Sequence, residues 1–433
     1  MSTPILGLVM ILIMFGMLAL RQPVWLALAA CGITGNVVMS NINVAAFVAG
    51  TGTFDTASSY GLSVIPLFVL MGEVATSSRL SSELFKSARV VLSGVRGGLS
   101  VATIAASGAF GAICGSSVAT AATMTRIALP EMREAGYEDG FSAASVAAGG
   151  TLGILIPPSI ILVIYGSIAE QSVPRLFAAS MIPGIVLLLL YAVTALVIAA
   201  RTPGKVPIDS AASFIERLSA LRGPWQFIVL FTVTIGGIYA GVFSPNEAAA
   251  IGAFGAIVLG FLSRRLTLLG LFEAVRASVI TSCVLFMIII GATIFAQFIV
   301  QTRLPDLLLN AATAAGMAPW AVMLTIILVY LVMGCFLEGI GMVLITVPVF
   351  LPIVIGYGYD PVWFGVVVVV VVELGLITPP VGMNLFIIQA QARDVAIGQL
   401  YRGIIPFLVA PVLLLVLLFA MPQLVLWLPD LLY

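Results

Sequence analysis

The chain has 433 residues, 61% hydrophobic and only 8% charged, with a mean hydropathy of +1.22; a soluble domain carries about 25% charged residues, so the composition describes a polytopic membrane protein instead. Lys plus Arg and Asp plus Glu balance at 18 each, no basic tract suggests nucleic acid, and His, the commonest general base and metal ligand, is absent. No phosphate-cradling GxxxxGK motif occurs, so neither ATP-driven chemistry nor an organic cofactor is expected. The four cysteines, Cys31, Cys114, Cys283 and Cys335, lie in apolar stretches without metal-ligand spacing and read as small buried hydrophobes.

Apolar runs of about 20 residues predict helices near 4–20, 24–40, 61–78, 141–170, 176–200, 224–243, 246–263, 277–301, 361–391 and 398–420. The first lacks the positive flank and cleavage site of a secretory signal and reads as a retained span. Two further stretches, 98–130 and 319–357, are split by small or polar clusters, CGSS at Cys114–Ser117 and LEGIG at Leu337–Gly341. Each half is about 15 residues, short for a span. Both stretches read as re-entrant helical hairpins whose tips stop inside the membrane. Residues 201–223 are the one clear polar break, with Ile215, Leu218 and Leu221 spaced for a short helix at the membrane interface. Beyond it, Ser244-Pro245-Asn246-Glu247 reads as a capped helix start with Glu247 as the capping-box partner.

The basic residues orient this layout. With the N-terminus extracytoplasmic, the connections at 21–23, 79–97, 126–140, 201–223, 264–276 and 393–403 are cytoplasmic. They hold every Lys and Arg except Arg175 and Arg303. The stretch 40–62 has neither and is expected to be an external connection. Residues 1–200 and 224–433 then each contain five spans and one hairpin, joined by a cytoplasmic linker at 201–223. An odd number of spans per half inverts the second half relative to the first, as in many secondary transporters.

Two Pro-Pro pairs interrupt spans. An interior proline removes a backbone donor and clashes with the preceding turn, which hydrocarbon tolerates only where the broken backbone faces protein or a polar cavity. Pro157 and Pro158 break 141–170, and Pro379 and Pro380 break 361–391. The offset is 222 residues, and the same offset relates Gly153 to Gly375, Pro23 to Pro245, Pro130 to Pro352 and Gly136-Tyr137 to Gly358-Tyr359. Matched interruptions in two halves point to a transporter's binding site.

Free helix ends attract ions: N-termini hold anions, and unwound carbonyls hold cations. The first tip offers Ser116, Ser117 and Thr120, expected to face Thr151 and Gly153. The second offers Glu338, Gly339 and Gly341, expected to face Glu373, Gly375 and Thr378. Each has a bland reading. Gly153 and Gly375 equally suit close helix packing, and Ser116 and Ser117 can bond back to a carbonyl one turn earlier. Carboxylates at membrane depth are costly and functional by default, yet Glu338 and Glu373 can be protonated or cap a helix. Glu73 reads as pairing with Arg79 or another nearby Arg. Asn384, one turn past the second break, can touch substrate or satisfy the broken backbone. An intramembrane hydrolase built on Ser116 or Ser117 would need a base, and none is at hand.

Over nearly its whole length the chain resembles the large membrane subunit of the tripartite ATP-independent periplasmic (TRAP) transporters. The motifs are IPLFVLMGE (Ile65–Glu73), GSSVATAATM (Gly115–Met124), GTLGILIPPSI (Gly150–Ile160), GVFSPNEAAA (Gly241–Ala250), TVPVFLPI (Thr346–Ile353) and ELGLITPPVGMNLF (Glu373–Phe386). The resemblance implies a sodium-coupled importer of organic acids in the cytoplasmic membrane of a bacterium or archaeon. It also implies an extracytoplasmic substrate-binding protein, a small TRAP membrane subunit, and an elevator in which hairpins and broken helices carry the cargo. Sodium sites would lie at the two tips and the adjoining breaks. A stand-alone proton- or sodium-driven organic-anion carrier of the same fold class is the other reading. The chain departs from relatives at Val118, where many have Pro, at Gly339-Ile340 after Glu338, and at Val371, where Asn is common.

Overall fold

The computed structural model of the protein describes residues 3–433 except Lys205, Asp209 and Phe336; of the linker's cations, Lys205 thus lies outside the described residues. Among the described residues every regular element is helical. The first half holds α1 (Thr3–Ala19), α2 (Val24–Met39), α3 (Ile42–Ser58), α4 (Val64–Ser77), α5 (Leu80–Val91), α6 (Gly98–Cys114), α7 (Ser117–Glu134), α8 (Asp139–Leu155), α9 (Ile160–Ala169) and α10 (Val173–Arg201). After α11 (Phe214–Ala220) come α12 (Trp225–Phe231) and α13 (Gly237–Tyr239), joined through the π-helical turn Thr232–Gly236. Then follow α14 (Pro245–Leu262), α15 (Leu268–Gln301), α16 (Leu304–Ala314), α17 (Pro319–Gly334), α18 (Gly339–Gly356), α19 (Pro361–Leu376) and α20 (Met383–Gln391). The chain ends with α21 (Ile397–Ile404), α22 (Val409–Ala420) and α23 (Gln423–Leu432).

This is an all-α polytopic membrane protein. By length and composition, 6 helices among the described residues can cross a bilayer, or up to 8 if each of two bent pairs counts as one span. One bent pair is α8 with α9, at 40°. The sequence offset recurs in the elements: α7 and α18 start and end 222 residues apart (117 to 339, 134 to 356), and α8 and α19 start 222 apart. Pro157-Pro158 and Pro379-Pro380 are both cis.

Local chemistry explains where helices begin. Ser244 and Glu247 form the full capping box of α14, and Ser213 and Glu216 form another on α11. Side chains of Asn41, Ser116, Ser159 and Thr267 also cap the helices that follow them, each satisfying a backbone donor that the first turn leaves free. The stretch 40–62, expected as a connection, is instead mostly α3. Its glycines and threonines dilute its hydropathy, but Asn41 caps it and it packs on α2 and α15. Helices α5, α16 and α23 likewise form where no span is predicted. The span expected at 277–301 starts nine residues earlier, at Leu268.

The helices gather into two packing groups. In one, α15 packs against α2, α3 and α4, with α14 on α4. In the other, α6, α7 and α8 pack together, α17 and α18 pack on α19, and α9 packs on α18. The groups meet where α15 lies on α18 and α4 lies on α6. Of the cysteines, Cys31 and Cys114 are buried, but Cys335 is half-buried and Cys283 is exposed. Cys283 sits with exposed Ile280, Val284 and Met287 on the outward face of α15, where acyl chains accept a thiol as readily as a core does.

Candidate functional site

The first tip is a tight reversal. α6 stops at Cys114, Gly115 takes a left-handed φ of +65°, and Ser116 caps α7 by accepting from the Ala119 N–H at 3.3 Å. Thr120 Oγ1 donates back to the Ser116 carbonyl at 2.7 Å. The tip is pressed onto the first break: a Cβ at Gly115 would lie 3.0 Å from the Pro158 carbonyl oxygen. A Cβ at Gly153 would lie 2.9 Å from Thr120 Oγ1 and 3.2 Å from both Gly111 Cα and the Ser116 carbonyl. Gly153 therefore lets the hairpin seat directly on α8, which needs the absence of a side chain.

At the break, Ser159 does what the prolines undo. Its Oγ donates to the Ile154 carbonyl at 2.5 Å and accepts from the Leu162 N–H at 3.3 Å, serving the ends of both half-helices. The sequence alone assigns it no role, although its place directly after Pro158 makes it the natural cap of α9. Thr151 is not turned to the first tip. Its hydroxyl donates to the Ala148 carbonyl at 2.7 Å and meets Tyr191 Oη at 3.2 Å, because the tip side of α8 is already filled at Gly150 and Gly153.

The second tip carries Glu338 and Gly339. Glu338 stands at the N-cap of α18 without a side-chain capping bond. A Cβ at Gly339 would lie 2.8 Å from Val372 Cγ1 on α19 and 3.1 Å from Ile161 Cδ1 on α9, so this tip wedges between the broken helices of the two halves. Gly334 and Gly375 repeat the first hairpin's close approach, with a Cβ on either meeting the other's Cα at 2.8 Å. Gly341 does not face α19; a Cβ there would meet Val24 of α2, because its position two residues into α18 turns it outward from the break. Thr378 Oγ1 donates to the Leu374 carbonyl at 2.5 Å. Glu373, expected beside the second tip, is fully buried, and among the described residues neither of its carboxylate oxygens has a hydrogen-bond partner.

Asn384 joins the two halves. Its Nδ2 donates to Ser117 Oγ at 2.6 Å, while its buried Oδ1 has no partner among the described residues. Between the tips lies a cavity of about 240 Å³ that brings together Ser116, Ser117, Glu338 and Gly339. Glu73 of α4 lines it too; among the described residues it makes no ion pair with Arg79. Thr281 and Leu285 of α15 complete the wall, and among the described residues no Lys or Arg lines the cavity. The sequence signal for Glu73 was its carboxylate in an apolar run; Thr281 and Leu285 carried no signal apart from the fold. Of the remaining expected residues, Thr120, Thr151, Gly153, Gly341, Glu373, Gly375, Thr378, the four prolines and Asn384 are outside this lining.

Two hairpin tips meeting at a mostly apolar cavity that carries Ser116, Ser117, Glu73 and Glu338, beside broken membrane helices, define a membrane transporter. The profile of the family described as "Tripartite ATP-independent periplasmic transporter, DctM component" matches residues 11–424. The chain belongs to this family and is a TRAP transporter large membrane subunit, a transporter and not an enzyme. It is 36% identical over 378 residues to the C4-dicarboxylate TRAP transporter large permease protein DctM of Pseudomonas aeruginosa, covering 87% of this chain and 88% of that one. It is 31% identical to the ectoine TRAP transporter large permease protein TeaC of Halomonas elongata, over 98% and 99% of the two chains. With the sialic acid TRAP transporter large permease protein SiaM of Vibrio cholerae it shares 32% identity, over 86% and 87%. Among solved structures, the Alcanivorax borkumensis YdaH transporter has the same fold at a TM-score of 0.62 and 14% identity, covering 98% of this chain and 100% of that one. MtrF of Neisseria gonorrhoeae aligns at 0.64 and 16% identity, over 89% and 85%.

Proposed function

We propose that this subunit imports an organic acid by sodium-coupled elevator transport, in the cytoplasmic membrane, with its N-terminus outside. The cavity shared by the two tips is the observation that carries this reading. Among the described residues its wall holds Glu73 and Glu338 and no cationic side chain, so what these residues offer an anion is the N-terminal ends of α7 and α18. Countercharge must travel with the cargo, which favours a co-carried cation. The orphaned Asn384 Oδ1 beside Ser117 fits a hard, oxygen-seeking ion at the first tip, with Ser116 and Ser117 as further oxygens. At the second tip Glu338 and the backbone at Gly339 would hold one. Bound sodium would supply the driving force and the missing positive charge.

The offset of 222 residues in both motifs and helix ends supports two inverted repeats, 1–200 and 224–433, around the linker 201–223. The relatives' names range over C4-dicarboxylates, ectoine and sialic acid, so the cargo here is assigned by class. Delivery by an extracytoplasmic binding protein and bracing by a small membrane subunit follow from the tripartite family. Uptake should be measured in proteoliposomes containing both membrane subunits, with the binding protein added. A sodium gradient is expected to drive accumulation at least tenfold above a potassium control. Undiminished uptake without sodium would sink the coupling.

A further inference from the structure

On the side of the molecule where the basic connections lie, α5 and α7 enclose a cavity of about 440 Å³. From α5 its wall takes Ser82, Glu83 and Lys86, with Arg79 just before the helix. From α7 it takes Arg126, Ile127, Pro130, Glu131 and Glu134. Steps of three and four residues put each set on one helix face, so the two faces meet across the cavity. Arg265, from the connection between α14 and α15, completes the wall. This cavity stands apart from the central one. Counting along α7 from Ser117 at the central wall to Arg126, at 1.5 Å per residue, the separation is about 14 Å.

The charges around it do not cancel. Arg265 pairs with Glu83 at 3.1 Å, and Glu131 is held by Arg89 from outside the wall. Arg79, Lys86, Arg126 and Glu134 remain, and among the described residues they form no ion pair. Three cations against one carboxylate leave two positive charges unmatched. The orientation rule asks only that cations lie on one side of the membrane. It does not ask that three unpaired ones face a single cavity, where like charges repel. The large apolar side chains of the wall are Phe85, which is buried, and Ile127, which is half-buried, so the cavity offers an acyl chain little surface.

We propose that this cavity binds a small soluble dianion, inorganic phosphate or a dicarboxylate, between Arg79, Lys86 and Arg126. Guanidinium groups meet carboxylate and phosphate oxygens with paired hydrogen bonds, and an ammonium adds a point charge. The bound anion ties the junction of α4 and α5 to α7, and so gives anions on this side a hold on the first hairpin that is distinct from the central cavity. The proposal depends neither on the coupling ion nor on how the tips move.

The test uses the purified transporter with both membrane subunits in neutral-lipid nanodiscs, at constant ionic strength made up with chloride. Equilibrium dialysis with labelled phosphate and, separately, labelled succinate is expected to show one saturable equivalent of at least one of them. Arg79→Gln and Arg126→Gln are each expected to weaken that binding by about tenfold or more, and Arg126→Lys to weaken it less. Because the three cations repel while the cavity is empty, Arg126→Gln is also expected to raise the unfolding midpoint in dianion-free buffer. It should abolish the further rise that the dianion gives the parental protein. A footprint leaves all three cations in place: bound dianion should slow alkylation of Ser82→Cys by iodoacetamide at least threefold, read peptide by peptide, and leave the exposed Gln399→Cys unchanged. Absence of saturable binding of both anions, or binding that survives Arg79→Gln combined with Arg126→Gln, would overturn the proposal. So would unaltered alkylation of Ser82→Cys at saturating dianion. Protection of Ser82→Cys by phosphatidylglycerol nanodiscs alone, with neither soluble anion bound, would assign the cations to a lipid headgroup and overturn the soluble ligand.

Discussion

Gly153 shows how little room the site leaves. A methyl group there meets backbone atoms of Gly111 and Ser116 at 3.2 Å, and backbone cannot step aside as a side chain can. Gly153→Ala is expected to destabilise the protein by about 1–3 kcal/mol, the usual cost of overpacking, as a lower unfolding midpoint in detergent. Gly16, with nothing within 4 Å, is the comparison: Gly16→Ala should be neutral or stabilising by up to about 1 kcal/mol through helix propensity. Legibility at this scale followed the motifs. Ser116, Ser117, Glu338 and Gly339 stood out because polar and small residues interrupt long apolar runs, and they share the cavity. Thr151 and Gly341 were misdirected, since spacing gives a residue's height on a helix more readily than the side it faces. The bond between Ser117 and Asn384 spans 267 positions, which no local pattern can announce.

At the level of elements, the broken helices are the site's framework. Each break leaves half-helix ends beside a tip, and Ser159 stabilises one such pair of ends. Replacing Pro157 and Pro158 together by Ala restores donors and helix propensity across the gap. The double variant is expected to insert and assemble at near-parental levels but to lose most of its uptake, read by comparing membrane abundance with transport rate. Normal transport would refute a role for the break.

The α11 cap offers a pH test outside the membrane. The Ser213 backbone N–H and hydroxyl both donate to the Glu216 carboxylate and hold its pKa below the ordinary 4.5. A carboxylate lowered on folding stabilises the helix above its unfolded pKa, and that stabilisation is lost as pH falls through the folded value. Amide protection over 214–220, corrected for intrinsic exchange, should therefore hold above about pH 5 and fall below pH 4.5, with Glu216→Gln removing that change. From the sequence this helix was marked only by Ile215, Leu218 and Leu221, and its Ser213–Glu216 cap went unread. By contrast, α3 went unread because Gly50, Thr51, Gly52 and Thr53 look like a loop until Asn41 and the packing partners of α3 are known. Helices α5 and α16 are too polar or too short for a span criterion, although they stand at matching places before the two hairpins.

On the scale of the whole molecule, the paired prolines made the sequence legible: one offset of 222 residues ran from motifs to helix ends. What it could not convey is how the halves share a single interior. Tyr165 Oη donates to the Pro361 carbonyl at 2.5 Å, Arg175 pairs with Asp430 at 3.0 Å, and Asn384 reaches Ser117. Each of these contacts links residues before the linker to residues after it. The linker itself is held on the α5 side by hydrogen bonds from the Ala212 N–H to Ser93 Oγ and from Arg217 to the Ser93 carbonyl. A gene divided at 204, producing two polypeptides in one cell, should therefore still yield a carrier, with the fragments co-purifying and supporting uptake that either alone lacks. Failure of the fragments to associate would show that covalent continuity is required.

Such a protein is in effect a two-subunit complex written in one reading frame. A change on one side of the linker is tolerated only if its partner across the seam still fits. Substitutions on the two sides of that seam are thereby coupled, and the Pro157-Pro158 and Pro379-Pro380 pairs lie one on each side of it.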